Sequence, residues 1–86
     1  MTQPINVRTD LSVKAAYVEY ATALSVSTVD LTDTGSVAYD VDADGNVVGI
    51  EVLGFEHPER VAIAREFAAS RDLAFPRDLT GVLVPA

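Results

Sequence analysis

The chain has no cysteine. Disulfide staples and thiolate metal sites are therefore excluded, which removes two of the usual means of holding a small fold together. Positive charge is scarce as well: six Lys and Arg stand against thirteen Asp and Glu, for a net charge of −7. A surface of that sign repels a phosphate backbone and an anionic leaflet, so neither nucleic acid nor membrane is expected as a partner. No apolar run approaches the roughly 20 residues needed to cross a bilayer. The opening residues, Met-Thr-Gln-Pro-Ile-Asn-Val, lack the basic and apolar regions of a secretory leader. These absences together set the expectation of a cytoplasmic protein.

The acids are unevenly placed. Residues 15–59 hold nine (Glu19, Asp30, Asp33, Asp40, Asp42, Asp44, Glu51, Glu56 and Glu59) and no Lys or Arg. Every Lys and Arg lies outside that block: Arg8 and Lys14 before it, Arg60, Arg65, Arg71 and Arg77 after it. Net charge speaks first to solubility, and where it speaks to partners it favours a cation or a basic protein.

At 86 residues the chain makes one domain, and its 49% hydrophobic content is that of a folding sequence. A chain of this size buries only about 60–65% of the surface its unfolded form exposes. With disulfides excluded, a partner chain is the common remaining support for so thin a core, which raises the expectation of a homodimer.

Four runs read as strands. Residues 13–20 are rich in β-formers, and residues 24–29 alternate apolar and small polar side chains. Residues 37–41 align Val37, Tyr39 and Val41, and residues 47–53 align Val48, Ile50 and Val52. Asp42-Ala-Asp-Gly-Asn between the last two is a concentrated turn signal whose Asp-Gly step supplies the positive φ a hairpin needs. Thr32-Asp-Thr-Gly does the same between the second and third runs, and Ala21-Thr-Ala offers a weaker turn after the first. Short connections make neighbours antiparallel.

Gly54 ends the sheet, and His57-Pro58 opens a helix with Pro at its first position and Glu59 in its first turn. Val61, Ile63, Ala64, Phe67 and Ala68 fall in one arc of roughly 160°. One apolar helix face needs one surface to cover. The expected fold is thus a two-layer α+β domain, with a four-strand antiparallel meander over about 13–54, one C-terminal helix at about 58–70 and a tail over 72–86. In that tail, residues 76–79 read as a helical turn, and residues 82–84 as an apolar segment packed on the sheet or on a neighbouring chain. Phe67, near the middle of the arc, is expected to be the main helix anchor. Val47, Gly49 and Leu53, with several of Ala16, Val18 and Tyr20, are expected on the opposite face of the sheet, as an apolar interface.

One motif resembles chemistry. Asp40, Asp42, Asp44, Gly45 and Glu51 fit the spacing of an EF-hand calcium loop, in which acids supply hard oxygens and the glycine allows the turn. Context argues for a hairpin instead. The preceding residues are β-branched or turn-forming where a helix should be, and Gly54 and Pro58 stop any helix continuing from Glu51. On an extended strand Glu51 lies roughly 20 Å along the chain from the aspartates. A cation held by the Asp40–Asp44 turn alone remains as an alternative.

The other candidates are bland. His57, the single histidine, reads as the start of a helix. Asp40 and Glu51 could form an acid/base pair, but nothing implies a pocket to raise either pKa. Tyr17, Tyr20 and Tyr39 lack the interleaved basic residues of a base-stacking platform. No phosphate-binding or nucleophile-elbow motif occurs. No catalytic residue, metal ligand or cofactor is therefore assigned, and no enzyme is expected.

Residues 39–53, Tyr-Asp-Val-Asp-Ala-Asp-Gly-Asn-Val-Val-Gly-Ile-Glu-Val-Leu, resemble the hairpin of a short bacterial family, domain-of-unknown-function family 2283. Its members read Asp-Tyr-Asp-x-Asp-Gly-x-Val-Val-Gly-Ile-Glu-Ile-Leu there. Ala16-Tyr-Val is similar to the family's Ala-Leu-Tyr-Ile strand. The resemblance covers about residues 13–54 and implies a compact antiparallel sheet with a hairpin at the matching stretch. It implies no activity. The placement of some relatives beside toxin-like genes suggests an antitoxin-like role toward a basic protein. The expected function is a non-enzymatic structural or protein-interaction module acting as a homodimer.

Overall fold

The computed structural model describes residues 1–77 and Leu79. They form β1 (Asn6–Asp10), β2 (Ala15–Glu19), β3 (Ser27–Asp30), β4 (Val37–Val41), β5 (Val47–Leu53) and α1 (Pro58–Ser70). The five strands make one antiparallel sheet in the order β1-β2-β5-β4-β3. The class is α+β with one C-terminal helix, as the periodicities predict. No described helix is long and apolar enough to cross a membrane.

Two features correct the four-strand meander. The first is β1, whose Asn-Val-Arg-Thr-Asp sequence has a single apolar side chain and no strand period to read. Pairing makes it a strand: Val7 faces Val18 and Thr9 faces Ala16 across the ladder. The turn behind it is closed by the Asp10 carboxylate, which accepts the Ser12 N–H at 2.9 Å, and by Lys14 at φ 56. The second is connectivity. β2 pairs with β5 and not with β3, so only β3, β4 and β5 form a meander, and β2 reaches the far side of β5 in a Greek-key arrangement. Residues 20–26 are therefore a crossover, not a tight turn. Its ends are tied down where the Tyr20 and Ala21 N–H groups donate to Val48 O and the Val26 N–H to Val41 O.

Burial explains the choice. Ala16 and Val18 of β2 meet Val52 and Ile50 of β5, and all four are buried. β3 is exposed at every position. A central strand is covered on both edges and under the helix, so the more apolar partner takes the inner place. β5, with Val48, Ile50 and Val52 buried, lies at the middle of the sheet.

The same register corrects the two-faced apolar sheet. Ala16, Val18 and Tyr20 are buried with the core cluster. The opposite face carries Arg8, Tyr17 and Glu51 in one row, with Glu19, Gly49, Asp40 and Thr28 in the next. It is a polar face.

The helix bounds agree with the Pro58 start and the apolar arc. Its deepest residues are Ala64 and Ala68, which are fully buried and admit the helix close to β4 and β5. Phe67 is only half-buried. Its ring stacks on Tyr39 with centroids 4.2 Å apart, and the Arg71 guanidinium lies over both rings. The anchoring is thus shared between two alanines and one aromatic pair. The helix ends in a Schellman arrangement, with the Leu73 N–H on Ala68 O, the Asp72 N–H on Ala69 O and Asp72 at φ 57.

Beyond the helix, Leu73 and Leu79 complete the core. Thr2 bonds both ways with this segment, its N–H to Asp72 O and its carbonyl to the Ala74 N–H. The expected packing of residues 82–84 lies outside the described residues; of the turn expected over 76–79 only residue 78 lies outside them, and Pro76 and Arg77 take no helical conformation.

Candidate functional site

The most organised polar group lies at the middle of the open sheet face. Tyr17 stands diagonal to Gly49 across the β2–β5 ladder, and its ring lies over that glycine: an added Cβ there would meet Tyr17 Cζ and Oη at 2.2 Å. Because Gly49 has no side chain, the phenol crosses β5 and reaches β4. Its hydroxyl donates to Asp40 Oδ2 at 2.8 Å, and the Thr28 hydroxyl of β3 donates to Asp40 Oδ1 at 2.5 Å. The Arg8 guanidinium of β1 sits 5.0 Å from the centroid of the Tyr17 ring. One chain of contacts therefore links every strand of the sheet.

Burial, more than any other influence, pushes the Tyr17 phenol above its usual pKa. The hydrogen bond to Asp40 and the charges of Asp40 and Glu19 act the same way, against a smaller opposite effect of Arg8. Tyr17 is thus a fixed donor at neutral pH and no base. Both oxygens of Asp40 are engaged, so its carboxylate is a strut between three strands.

The EF-hand residues separate in the same way. Asp42 Oδ1 accepts the N–H groups of Asp44 and Asn46, both at 2.9 Å, while the Asp42 N–H donates to Asn46 O and the Gly45 N–H to Asp42 O. Gly45 takes φ 83, giving the tight loop a left-handed residue that closes it. Asp44 is exposed at the tip, and Glu51 is exposed on the open face opposite Ala38 and Tyr17. No three acids or histidines of the described residues stand together as a metal-ligating group. Asp40 and Glu51 share a face but not a pocket. His57 begins α1 without a side-chain cap, its Nδ1 3.7 Å from Glu59.

A shallow recess on the helix side lies where Thr2, Tyr20, Asn46, Val47, Arg71 and Leu73 meet. Burial pushes the Tyr20 phenol up to about 12, and its hydroxyl donates to Ala74 O at 2.7 Å.

Sequence reasoning missed Arg8, Tyr17, Thr28 and Gly49 as one assembly. The available signal was Gly49 itself: a glycine inside a strand marks the close approach of another group. Neither a curated protein nor a solved structure matches the chain. Residues 10–55, more than half of its length and the span that holds Tyr17, Asp40, Gly45 and Gly49, match the family described as "Protein of unknown function (DUF2283)", and the chain belongs to that family.

Proposed function

We propose that this chain is a non-enzymatic structural and protein-interaction module that acts as a homodimer. The observation that carries the reading is where large apolar side chains are left in water. Ile5 is 55% exposed, Leu11 50% and Val13 62% around β1 and the turn behind it, and Leu24 83% and Val26 59% just ahead of β3. In a domain whose core is this thin, such a group is better explained by a covering surface than by chance.

The polar assembly supports the same reading from the other side. Tyr17, Asp40 and Thr28 use their bonding capacity on one another, and Asp42 uses its own on the turn. The residues that looked most like chemistry hold the sheet in register. Light scattering across micromolar concentrations tests the reading. A species of twice the 9.1 kDa chain mass is expected, and a 9.1 kDa species throughout refutes it.

A further inference from the structure

Among the described residues the sheet has two strands with a free outer edge, β1 and β3. A free edge is a row of unpaired N–H and C=O groups, and sheets protect such edges by keeping them short or charged. β3 is the shorter of the two: it has four residues, all exposed, and its one charge, Asp30, has no opposite charge within the strand to pair with in a second copy. β1 is longer, contains no proline and carries both signs, Arg8 and Asp10.

We propose that β1 is the self-association edge of this protein. Two copies pair it antiparallel about a twofold axis through Thr9, so that Arg8 of each copy faces Asp10 of the other in one continuous sheet. The inference rests on the homodimer reading above and assigns its surface.

The backbone sets which groups are available. The Tyr20 N–H donates to Val48 O, so the even-numbered peptide groups of β2 turn toward β5 and those of Ala15, Tyr17 and Glu19 turn toward β1. Their partners Asp10, Arg8 and Asn6 turn inward, which leaves Val7 and Thr9 with outward N–H and C=O groups. Paired residues must face the same side of a sheet, so a twofold axis passes through a residue and not between two. Through Arg8 it would oppose two guanidinium groups. Through Val7 it would oppose Asn6 and Arg8. Through Thr9 it places Arg8 against Asp10 twice, in the close non-hydrogen-bonded position about 4.5 Å apart at Cα.

Two further observations fit that register. Asp10 bonds Ser12 through Oδ1, which leaves Oδ2 for an ion pair. The exposed Leu11 and Val13, in the turn after β1, and Ile5 just before it flank the same seam.

Charge reversal tests the assignment. Arg8→Asp alone and Asp10→Arg alone each turn both ion pairs into repulsions, and each is expected to weaken the dimer by on the order of tenfold or more. An equimolar mixture of the two variants restores opposite charges and is expected to form the heterodimer, seen as a doubled mass by light scattering or native mass spectrometry. Circular dichroism of each variant alone confirms its fold. If Asp10→Arg loses its Ser12 turn and unfolds, Arg8→Asp decides by itself against a Val29→Lys control on β3, which must leave the dimer intact. A dimer that resists Arg8→Asp and dissociates with Val29→Lys overturns the β1 assignment and leaves the homodimer reading standing. A wild-type protein that stays at the mass of one chain overturns both.

Discussion

Gly49 lies where three strands depend on one missing side chain. Replacing it with alanine places a methyl group 2.2 Å from Tyr17 Cζ and Oη, so the tyrosine must leave. The clash is with the far end of a side chain, and the backbone can stay where it is. The cost is therefore what Tyr17 makes in place: its bond to the Asp40 carboxylate and the packing of its ring. A hydrogen bond to a charged group contributes about 1.5–3 kcal/mol, and the partial exposure of this one puts it at the lower end. Alanine in a strand recovers roughly 0.5–1 kcal/mol over glycine, which leaves about 0.5–1 kcal/mol from the bond, and roughly 0.5–1 kcal/mol of lost ring packing brings the net loss to about 1–2 kcal/mol. At roughly 4–8 °C per kcal/mol for a domain of this size, Gly49→Ala should melt about 4–16 °C below wild type. Thermal unfolding followed by circular dichroism reads the shift. The decisive comparison is the same substitution in a Tyr17→Ala background. With nothing left to displace, Gly49→Ala should there be neutral or mildly stabilising. If Gly49→Ala in the wild-type background melts at or above the parent, the account of Gly49 as a seat for Tyr17 is wrong.

Three other outcomes follow from the same contacts. Tyr17 and Tyr20 have folded pKa values raised above the ordinary 10, so their contribution is complete below about pH 10 and falls as pH rises, for Tyr20 through about 12; Tyr17→Phe should flatten that alkaline loss, as read by melting temperature and by tyrosinate absorbance. Phe67→Ala should cost about 2–3 kcal/mol, below the full core value because the ring is half-buried, while Ala68→Leu should cost about 1–3 kcal/mol by overpacking the helix against the sheet; denaturant titration separates these from a helix docked by Phe67 alone, in which Ala68→Leu would be silent. Asp42→Ala should cost about 1–2 kcal/mol through two lost turn bonds, with calcium leaving the melting temperature of the wild type unmoved; a calcium-dependent rise would restore the cation reading of Asp40, Asp42 and Asp44.

The polar assembly on the open face was legible only in part. Its turn could be read, because Asp42, Gly45 and Asn46 act on their own neighbours. The partnership of Tyr17 with Asp40 spans two strands with a third between them, and no spacing in the chain announces it. Gly49 was the one local clue. The strand at residues 6–10 was invisible for a related reason: a polar edge strand owes its conformation to the partner it pairs with, not to its own period.

What the sequence by itself determined was much of what depends on near neighbours. The run at 24–29 is an exception: its strand is Ser27–Asp30, exposed throughout, with Leu24 and Val26 left in the crossover. The alternation at 37–41 and 47–53 set two strands to the residue, Asp-Gly set the hairpin between them, and Pro58 with the arc from Val61 to Ala68 set the helix. What only the tertiary structure decided was who stands beside whom. Periodicity shows that Ala16 and Val18 have a buried side, but not that Val52 and Ile50 bury it better than β3 does. That choice moved β2 across to β5 and turned an expected apolar second face into a polar one. Side-chain period is a property of one strand, whereas pairing is a competition among all of them for the few places under a single helix.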